Sequence, residues 1–136
     1  MTTNTKTTAK TPKPVSFISD AEVRTQTFDA TGRRLGKIAT EIAVVLMGKD
    51  QQTFAKHIME NVQVVVTNAS KLDIPEGKKG AIYQSYSGYP GGRREETLEH
   101  LGKRLGYAEV MRRTINGMLP KNKHQKRLMN QLTITE

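Results

Sequence analysis

The sequence has no cysteine and no tryptophan, only three histidines, and no long apolar segment in its 136 residues. Without cysteine, disulfides and thiolate metal sites are excluded, and three scattered histidines do not form a metal-ligand pattern. No apolar stretch approaches the roughly 20 residues that a membrane-spanning helix requires. The amino terminus lacks the apolar core of a secretory signal. We therefore expect no metal site and no membrane-spanning segment.

Acidic residues are also scarce relative to basic ones. The chain carries 22 Lys and Arg against 13 Asp and Glu, a formal net charge of +9. This balance suits a polyanionic partner, with nucleic acid as the first choice and an anionic membrane surface as the second. A merely soluble basic protein is the neutral alternative. The length corresponds to one domain with a modest core.

The first 16 residues differ in composition from the rest. They are rich in Thr and Lys, contain two prolines and have almost no apolar side chains. Such a segment cannot bury enough surface to offset the entropy of ordering. We expect residues 1–16 to be a disordered basic arm and residues 17–136 to be a single α/β domain. An organellar transit segment is the weaker reading, because the arm has no Arg and no amphipathic stripe.

Hydrophobic periodicity predicts a βαβ unit next. Residues 23–30 alternate weakly and predict a strand. Apolar residues from Leu35 to Leu46 recur at helical spacing, and Gly48 is expected to end that helix. The β-branched run in residues 61–69 predicts a strand buried on both faces. Strand, helix and strand in this order favour a parallel sheet.

The second half reads as further alternating elements. Residues 79–92 predict a strand that enters a glycine-proline loop. The pattern over residues 95–118 is helical, with a break near Gly106. A short basic helix is expected within residues 121–131, and residues 132–135 predict a last strand.

The segment TGRRLGKIA, residues 31–39, resembles a phosphate-binding loop but departs from the nucleotide-binding pattern. A P-loop has four residues between its glycines and a Ser or Thr after its Lys. Here only three residues lie between Gly32 and Gly36, and Ile38 occupies the hydroxyl position. A nucleotide-binding enzyme using Gly32, Gly36 and Lys37 is therefore the weaker alternative. Basic side chains at a helix start equally suit a nucleic-acid phosphate or a solvated turn.

Two further basic segments point to nucleic acid. In YQSYSGYPGGRR, residues 83–94, tyrosines interleave with glycines and arginines, which favours contact with bases and phosphates, although Tyr83 reads as a core residue. In residues 111–128, six basic side chains occur without an acid. An apolar Gly-Met-Leu-Pro segment interrupts them, so we expect part of this span to be anchored to the core while the cations stay exposed. Such a cluster gives strong, salt-sensitive binding.

Patterns for catalysis are weak. Glu96 and His100 are four residues apart on the predicted helix, a spacing typical of a surface ion pair. Ser85, Ser87 and His57 fit no nucleophile motif. We therefore predict that the protein is not an enzyme. A DNA-binding regulator or general nucleic-acid binder is the remaining alternative, without a helix-turn-helix or zinc pattern to support it.

Four segments in order carry a family resemblance: DATGRRLGKIATEIAVVLMGKD, VVVTNASKL, YSGYPGG and GMLPKN. From about residue 24 to 134 the chain resembles the large-subunit ribosomal protein family L13 in its bacterial form. The resemblance implies a three-layer α/β/α fold around a mainly parallel four-stranded sheet. It implies binding to 23S ribosomal RNA early in subunit assembly, beside neighbouring ribosomal proteins, in the cytoplasm. It implies no catalysis, no cofactor and no small-molecule substrate.

The chain departs from the family pattern at several positions. Lys37 stands where the family usually has Arg, Tyr86 where it has His, and residues 124–126 where it has Leu-Gly-Arg. Charge is kept at two of these sites, so phosphate binding is expected to survive. From the motifs and the basic clusters together we predict these RNA-binding residues: Thr31, Gly32, Arg33, Arg34, Lys37, Lys49, Lys56, His57, Tyr86, Ser87, Gly88, Gly91, Gly92, Arg93, Arg94, Arg112, Arg113, Lys121, Asn122, Lys123, His124, Lys126 and Arg127.

Overall fold

The computed structural model describes residues 23–52, 54–55 and 57–136. The predicted arm, residues 1–16, lies outside them, so its disorder and the domain boundary remain predictions. The strands are Arg24–Asp29 (β1), Val62–Thr67 (β2), Ile82–Tyr86 (β3), Arg93–Thr97 (β4) and Leu132–Ile134 (β5). The helices are Leu35–Leu46 (α1), Glu76–Lys79 (α2), Leu98–Leu105 (α3), Tyr107–Met118 (α4) and Gln125–Asn130 (α5), with a 3-10 turn at Ala69–Lys71.

The predicted βαβ unit is confirmed. β1 pairs with β2 in parallel, from Arg24 opposite Val62 to Asp29 opposite Thr67. α1 provides the long crossover that parallel neighbours require. The helix ends where the sequence predicts, because Gly48 adopts a φ of 71°, a left-handed conformation that favours glycine.

The predicted four-stranded, mainly parallel sheet is wrong. The parallel sheet has three strands in the order β1-β2-β5, and β3 and β4 form a separate antiparallel pair. The reason is the connection between β3 and β4, since residues 87–92 are too few to return the chain for a parallel partner. The polar side chains of this hairpin also suit an exposed pair better than a buried sheet interior.

The sheet is covered by helices on one face only within the described ranges, so the predicted three-layer arrangement is not formed by them. Val62, Val64 and Val66 are buried in one core with residues of α1, α4 and α5. On the opposite face, Thr25 and Gln63 are exposed. β2 therefore alternates between buried and accessible positions, and the prediction that both its faces are buried is wrong. Its valine run does not reveal which face is covered, since valine suits either.

The helical region after residue 95 is partly as predicted. Gly106 separates α3 from α4 with a φ of 88°, which confirms the predicted break. Residues 95–97, predicted to be helical, belong to β4 instead, so Glu96 and His100 do not share a helix face. The Glu96 carboxylate instead lies 2.7 Å from the Arg104 guanidinium. The predicted short basic helix and last strand are confirmed as α5 and β5.

Candidate nucleic-acid interface

The loop after β1 is held by a carboxylate at the end of that strand. The Asp29 carboxylate accepts hydrogen bonds from the Thr31 hydroxyl at 2.7 Å, the Thr31 amide at 3.0 Å and the Asn68 side chain at 3.0 Å. These hydrogen bonds, with that of the Thr31 hydroxyl the largest, lower the pKa of Asp29. Gly32 turns with a φ of 65° and donates its amide to the Lys71 carbonyl. Thr31 and Gly32 therefore shape the loop through internal contacts.

The cations of this loop differ in availability. Arg33 donates to both carboxylate oxygens of Glu41, at 2.6 and 2.7 Å, and Arg34 lies 3.7 Å from the Asp73 carboxylate. Lys37 is exposed and forms no ion pair with any residue that the structure describes. α1 begins with no acidic residue and no side-chain cap. Its first amides and Lys37 therefore present an uncompensated positive end to solvent.

The structure gives a second reason against a nucleotide site at this loop. Ile38, at the position where a P-loop has its hydroxyl, is fully buried in the core. A cavity of about 230 Å³ lies elsewhere, near the carboxyl end of α1, with Leu46, Phe54, Ile58 and Met59 in its wall. The Gly32 loop does not line it, so this cavity does not serve the loop as a nucleotide pocket.

The basic segment after α4 is anchored and exposed, as predicted. Leu119 and Leu128 are buried at its two ends. The Asn122 side chain accepts the amides of His124 at 3.0 Å and Gln125 at 3.1 Å, which organises the start of α5. Four exposed cations project between and beyond these anchors and form no ion pair with the described residues. They are Lys121, Lys123, Lys126 and Arg127, and we call them the C-terminal basic cluster.

Two histidines in the predicted set have different environments. His124 is half-buried, with its Nδ1 atom 2.9 Å from the Met59 sulfur, so it packs inside the protein. His57 is exposed. Lys49 is also exposed and lines the same cavity wall as Asn122 and His124. Lys56 lies outside the described residues.

The arginines of α4 and the hairpin are partly compensated. Arg113 donates to the Glu109 carboxylate at 3.0 Å, whereas its neighbour Arg112 is exposed and unpaired within the described ranges. Arg93 forms an ion pair with Glu95, and Arg94 forms none with the residues described. The turn between β3 and β4 carries Ser87, Gly88, Gly91 and Gly92; Gly88 and Gly91 have φ values of 88° and 74°.

Most of the predicted residues fall into two groups at different places on the surface. Leu35, from the first turn of α1, packs with Tyr83 of β3 against the smaller cluster around Leu98, so the first loop and the hairpin base are neighbours. Lys49 and the C-terminal basic cluster lie toward the opposite end of α1. That helix has 12 residues and is therefore about 18 Å long. An extended ligand is needed to contact both groups.

The sequence reasoning missed several accessible residues. Lys71 lies beside the first loop, and its charge contributes to the lowered pKa of Asp29. Lys78 and Lys79 are exposed at the end of α2, which the periodicity did not predict. Tyr89 is 75% exposed at the hairpin turn. The available signal was the concentration of Lys in SKLDIPEGKKG, next to a segment already marked as basic.

Among the described residues, no helix is long and apolar enough to cross a membrane. The same part of the chain contains no group of three or more potential metal-ligating His, Asp or Glu side chains.

Comparison with known proteins adds independent information. The family model described as Ribosomal protein L13 matches residues 24–136. The large ribosomal subunit protein uL13 of Synechocystis sp. is 39% identical over 107 residues, which covers 78% of this chain and 70% of the relative. That of Microcystis aeruginosa is 36% identical over 126 residues, covering 92% and 82%. That of Chlamydia caviae is 37% identical over 127 residues, covering 91% and 83%.

Proposed function

This chain belongs to the ribosomal protein L13 family, and from that premise we propose that it is a structural component of the large ribosomal subunit that binds ribosomal RNA. The family resemblance predicted from the motifs is confirmed. The role is non-enzymatic, as the sequence predicts. The finer proposal is that the RNA is 23S, that binding occurs early in subunit assembly beside other ribosomal proteins, and that the ribosome is cytoplasmic.

One observation carries the RNA-binding proposal: the four cations of the C-terminal basic cluster share one anchored surface without a carboxylate partner among the described residues, whereas the cations of α3 are paired. Arg104 and Lys103 of α3 are engaged by Glu96 and Glu99. The four cations of the cluster have no such partner among the described residues. Holding them on one anchored surface raises self-repulsion, which a polyanion relieves. RNA binding supplies that relief and releases the counterions of the bound phosphates.

The predicted residues divide into several roles under this proposal. Lys37, Lys49, Arg94 and Arg112, with the C-terminal basic cluster, contact phosphates directly. Thr31, Gly32, Asn122 and His124 position the loops that carry these cations, because their side chains or amides have internal partners.

Four arginines are paired with carboxylates in the free protein and bind phosphate only by exchanging that partner: Arg33, Arg34, Arg93 and Arg113. His57, Tyr86 and the turn residues 87–92 are accessible for close RNA contact, and Lys56 stays a prediction from the sequence.

The two separated basic groups favour a folded RNA over a small ligand. A folded RNA presents phosphates and 2′-hydroxyls over a wide surface and is recognised largely by shape. Bridging both ends of α1 would fix the relative position of two RNA segments. This is a mechanism for stabilising an assembly intermediate, since any protein that binds only the folded RNA shifts its folding equilibrium.

The test is binding of the purified protein to a large-subunit ribosomal RNA fragment and to a scrambled RNA of equal length, across a salt series. We expect preference for the true fragment to persist at physiological salt. The double variant Lys121→Gln/Lys126→Gln should bind less tightly and with a smaller salt slope, by about 0.7 to 0.9 per lost phosphate contact. Lys103→Gln/Arg104→Gln is the matched control, because it removes the same charge from paired positions. Equal affinity of the wild-type protein for both RNAs would contradict the proposal.

A further inference from the structure

The β3–β4 hairpin leaves the body of the protein partway along its length. At its base, Tyr83 pairs with Glu96 across the strands; the Tyr83 hydroxyl lies 3.4 Å from the Thr114 hydroxyl on α4. Tyr83 and Thr114 are both partly buried. The next pair on the same face, Ser85 with Arg94, is exposed. The outer half of the hairpin therefore projects beyond the helices that support its base.

Two tyrosines occupy this projecting end. Tyr86, the last residue of β3, is 68% exposed, and Tyr89 in the turn is 75% exposed. They are the most exposed large hydrophobic side chains among the residues that the structure describes. Aromatic residues are only 5% of the chain, so placing two of them in solvent three residues apart is a concentrated use of a scarce type. Exposed aromatic clusters mark interaction sites.

The turn presents these rings on a rigid frame. Tyr89 accepts a hydrogen bond from the Gly92 amide at 2.9 Å, across Pro90 and Gly91. Proline at the second position is common in type II turns, and the φ of 74° at the third meets their requirement for a positive φ. A Cβ atom at Gly92 would overlap the Ser87 side chain, so the loop is closely packed on itself. The backbone that carries the two rings therefore has little conformational entropy to lose when a ligand binds.

We propose that Tyr86 and Tyr89 form a stacking platform for unpaired nucleobases. The inference rests on the proposed function and names the part of the RNA that the hairpin takes. Aromatic rings stack on bases of any identity, and an unpaired base exposes the face that stacking requires.

Charge and neighbours favour a base over an apolar protein surface. Arg93, directly across from Tyr86, is engaged by Glu95, so charge on this face is compensated and the accessible feature is the ring. On the opposite face Arg94 is exposed and unpaired within the described ranges, so it is available to another phosphate of the bound RNA. Gln84 lies between Tyr86 and the exposed Ile82 on the same face of β3, and the turn glycines add no apolar side chain, so polar and small groups interrupt the apolar area that a protein partner would bury.

The experiment compares two probes that share a backbone and differ in bases: a short oligo(rA) and an abasic RNA of equal length. The full chain should bind oligo(rA) more tightly, by roughly tenfold or more if both rings stack. Tyr86→Ala/Tyr89→Ala should lose that difference, while its affinity for the abasic RNA stays within about twofold of wild type. Tyr86→Phe/Tyr89→Phe should keep the difference. Ile82→Ala, at an exposed apolar position on the hairpin base, is the control and should also keep it.

The variants also separate stacking from loss of structure. Tyr86→Leu/Tyr89→Leu retains apolar volume without an aromatic face, and should lose the base-dependent difference like the alanine variant. If the alanine or leucine variants still prefer oligo(rA) as the wild type does, the proposal is overturned and the tip is better assigned to a protein contact. That failure is distinct from failure of the proposed function, which is judged by wild-type preference for the ribosomal fragment over scrambled RNA.

Discussion

The Glu136 carboxylate accepts a hydrogen bond from the Ala108 amide at 3.3 Å, and so caps the amino terminus of α4. That helix has no side-chain cap from its own N-cap residue, Gly106. A carboxylate at this end satisfies a free amide and interacts favourably with the helix dipole. A residue 28 positions away in the sequence thus performs a local capping role.

Replacing Glu136 by Ala should lower the free energy of unfolding by about 0.5 to 1 kcal/mol, the usual loss for a helix-capping group. Gly106→Ala should cost more, because Gly106 has a φ of 88° and an added Cβ would overlap the Glu136 carboxylate. Urea unfolding of both variants and of Glu136→Gln, which keeps an acceptor without the charge, measures these differences. Unchanged stability of Glu136→Ala would show that the cap is not formed in solution.

Removing Glu41 should strengthen RNA binding. Its carboxylate holds Arg33 in a two-oxygen contact, and without it the guanidinium becomes available to a phosphate. Glu41→Gln should therefore bind the ribosomal RNA fragment several-fold more tightly at low salt, with a salt slope steeper by about 0.7 to 0.9. Glu99→Gln is the matched control, since it removes the same charge and releases Lys103, outside the proposed interface. Equal gains in both variants would indicate a net-charge effect alone.

The Asp29 carboxylate should make the first loop acid-sensitive. Hydrogen bonds from Thr31 and Asn68 lower the pKa of Asp29, so the ionised form is favoured in the folded protein. Its stabilising contribution is present above the unfolded-state pKa of about 3.9 and is lost as the pH falls through the lowered folded-state pKa. Thr31→Val should raise the pKa of Asp29 toward its ordinary value. NMR titration of the Asp29 carboxyl carbon measures this, and identical midpoints in the two proteins would refute it.

Substitutions on the buried face of α4 should lower stability, whereas substitutions on its exposed face should weaken RNA binding. Ile115 is fully buried in the main core, and Ile115→Ala should lower the free energy of unfolding by about 2 to 5 kcal/mol. Arg112 lies exposed on the same helix, and Arg112→Gln should leave stability within about 0.5 kcal/mol while weakening RNA affinity. Thermal unfolding and RNA titration of both variants provide the comparison. A stability loss in Arg112→Gln as large as that of Ile115→Ala would contradict this division.

Several elements were predictable because their signals are local. The spacing of Leu35, Ile38, Ile42 and Leu46 specifies the buried stripe of α1, and Gly48 supplies the conformation that ends it. The basic segments were identified for a similar reason, since charge is read directly from composition. Their anchoring by Leu119 and Leu128 was also predictable, because apolar residues interrupt the cations.

The error at β4 shows where local signals fail. Arg and Glu are good helix formers, so the sequence predicts a helix from residue 95, whereas α3 begins after Thr97, whose side chain caps it. Pairing with β3 overrides that preference, because a partner strand satisfies the backbone groups of residues 93–97. That partner is determined by the intervening turn and by packing of the hairpin base on α4. Strand pairing between distant residues is also the reason why the local sequence did not predict a three-stranded parallel sheet.

By itself, the sequence determined the βαβ unit, the positive charge, the family and the segments that carry the cations, because each of these depends on residue types and their spacing along the chain. Only the tertiary structure decided which cations are available. Glu41 engages Arg33 and Asp73 lies by Arg34, whereas the C-terminal basic cluster has no carboxylate partner in the described part of the chain. The physical reason is the short range of an ion pair, which depends on distances between side chains that the fold alone establishes.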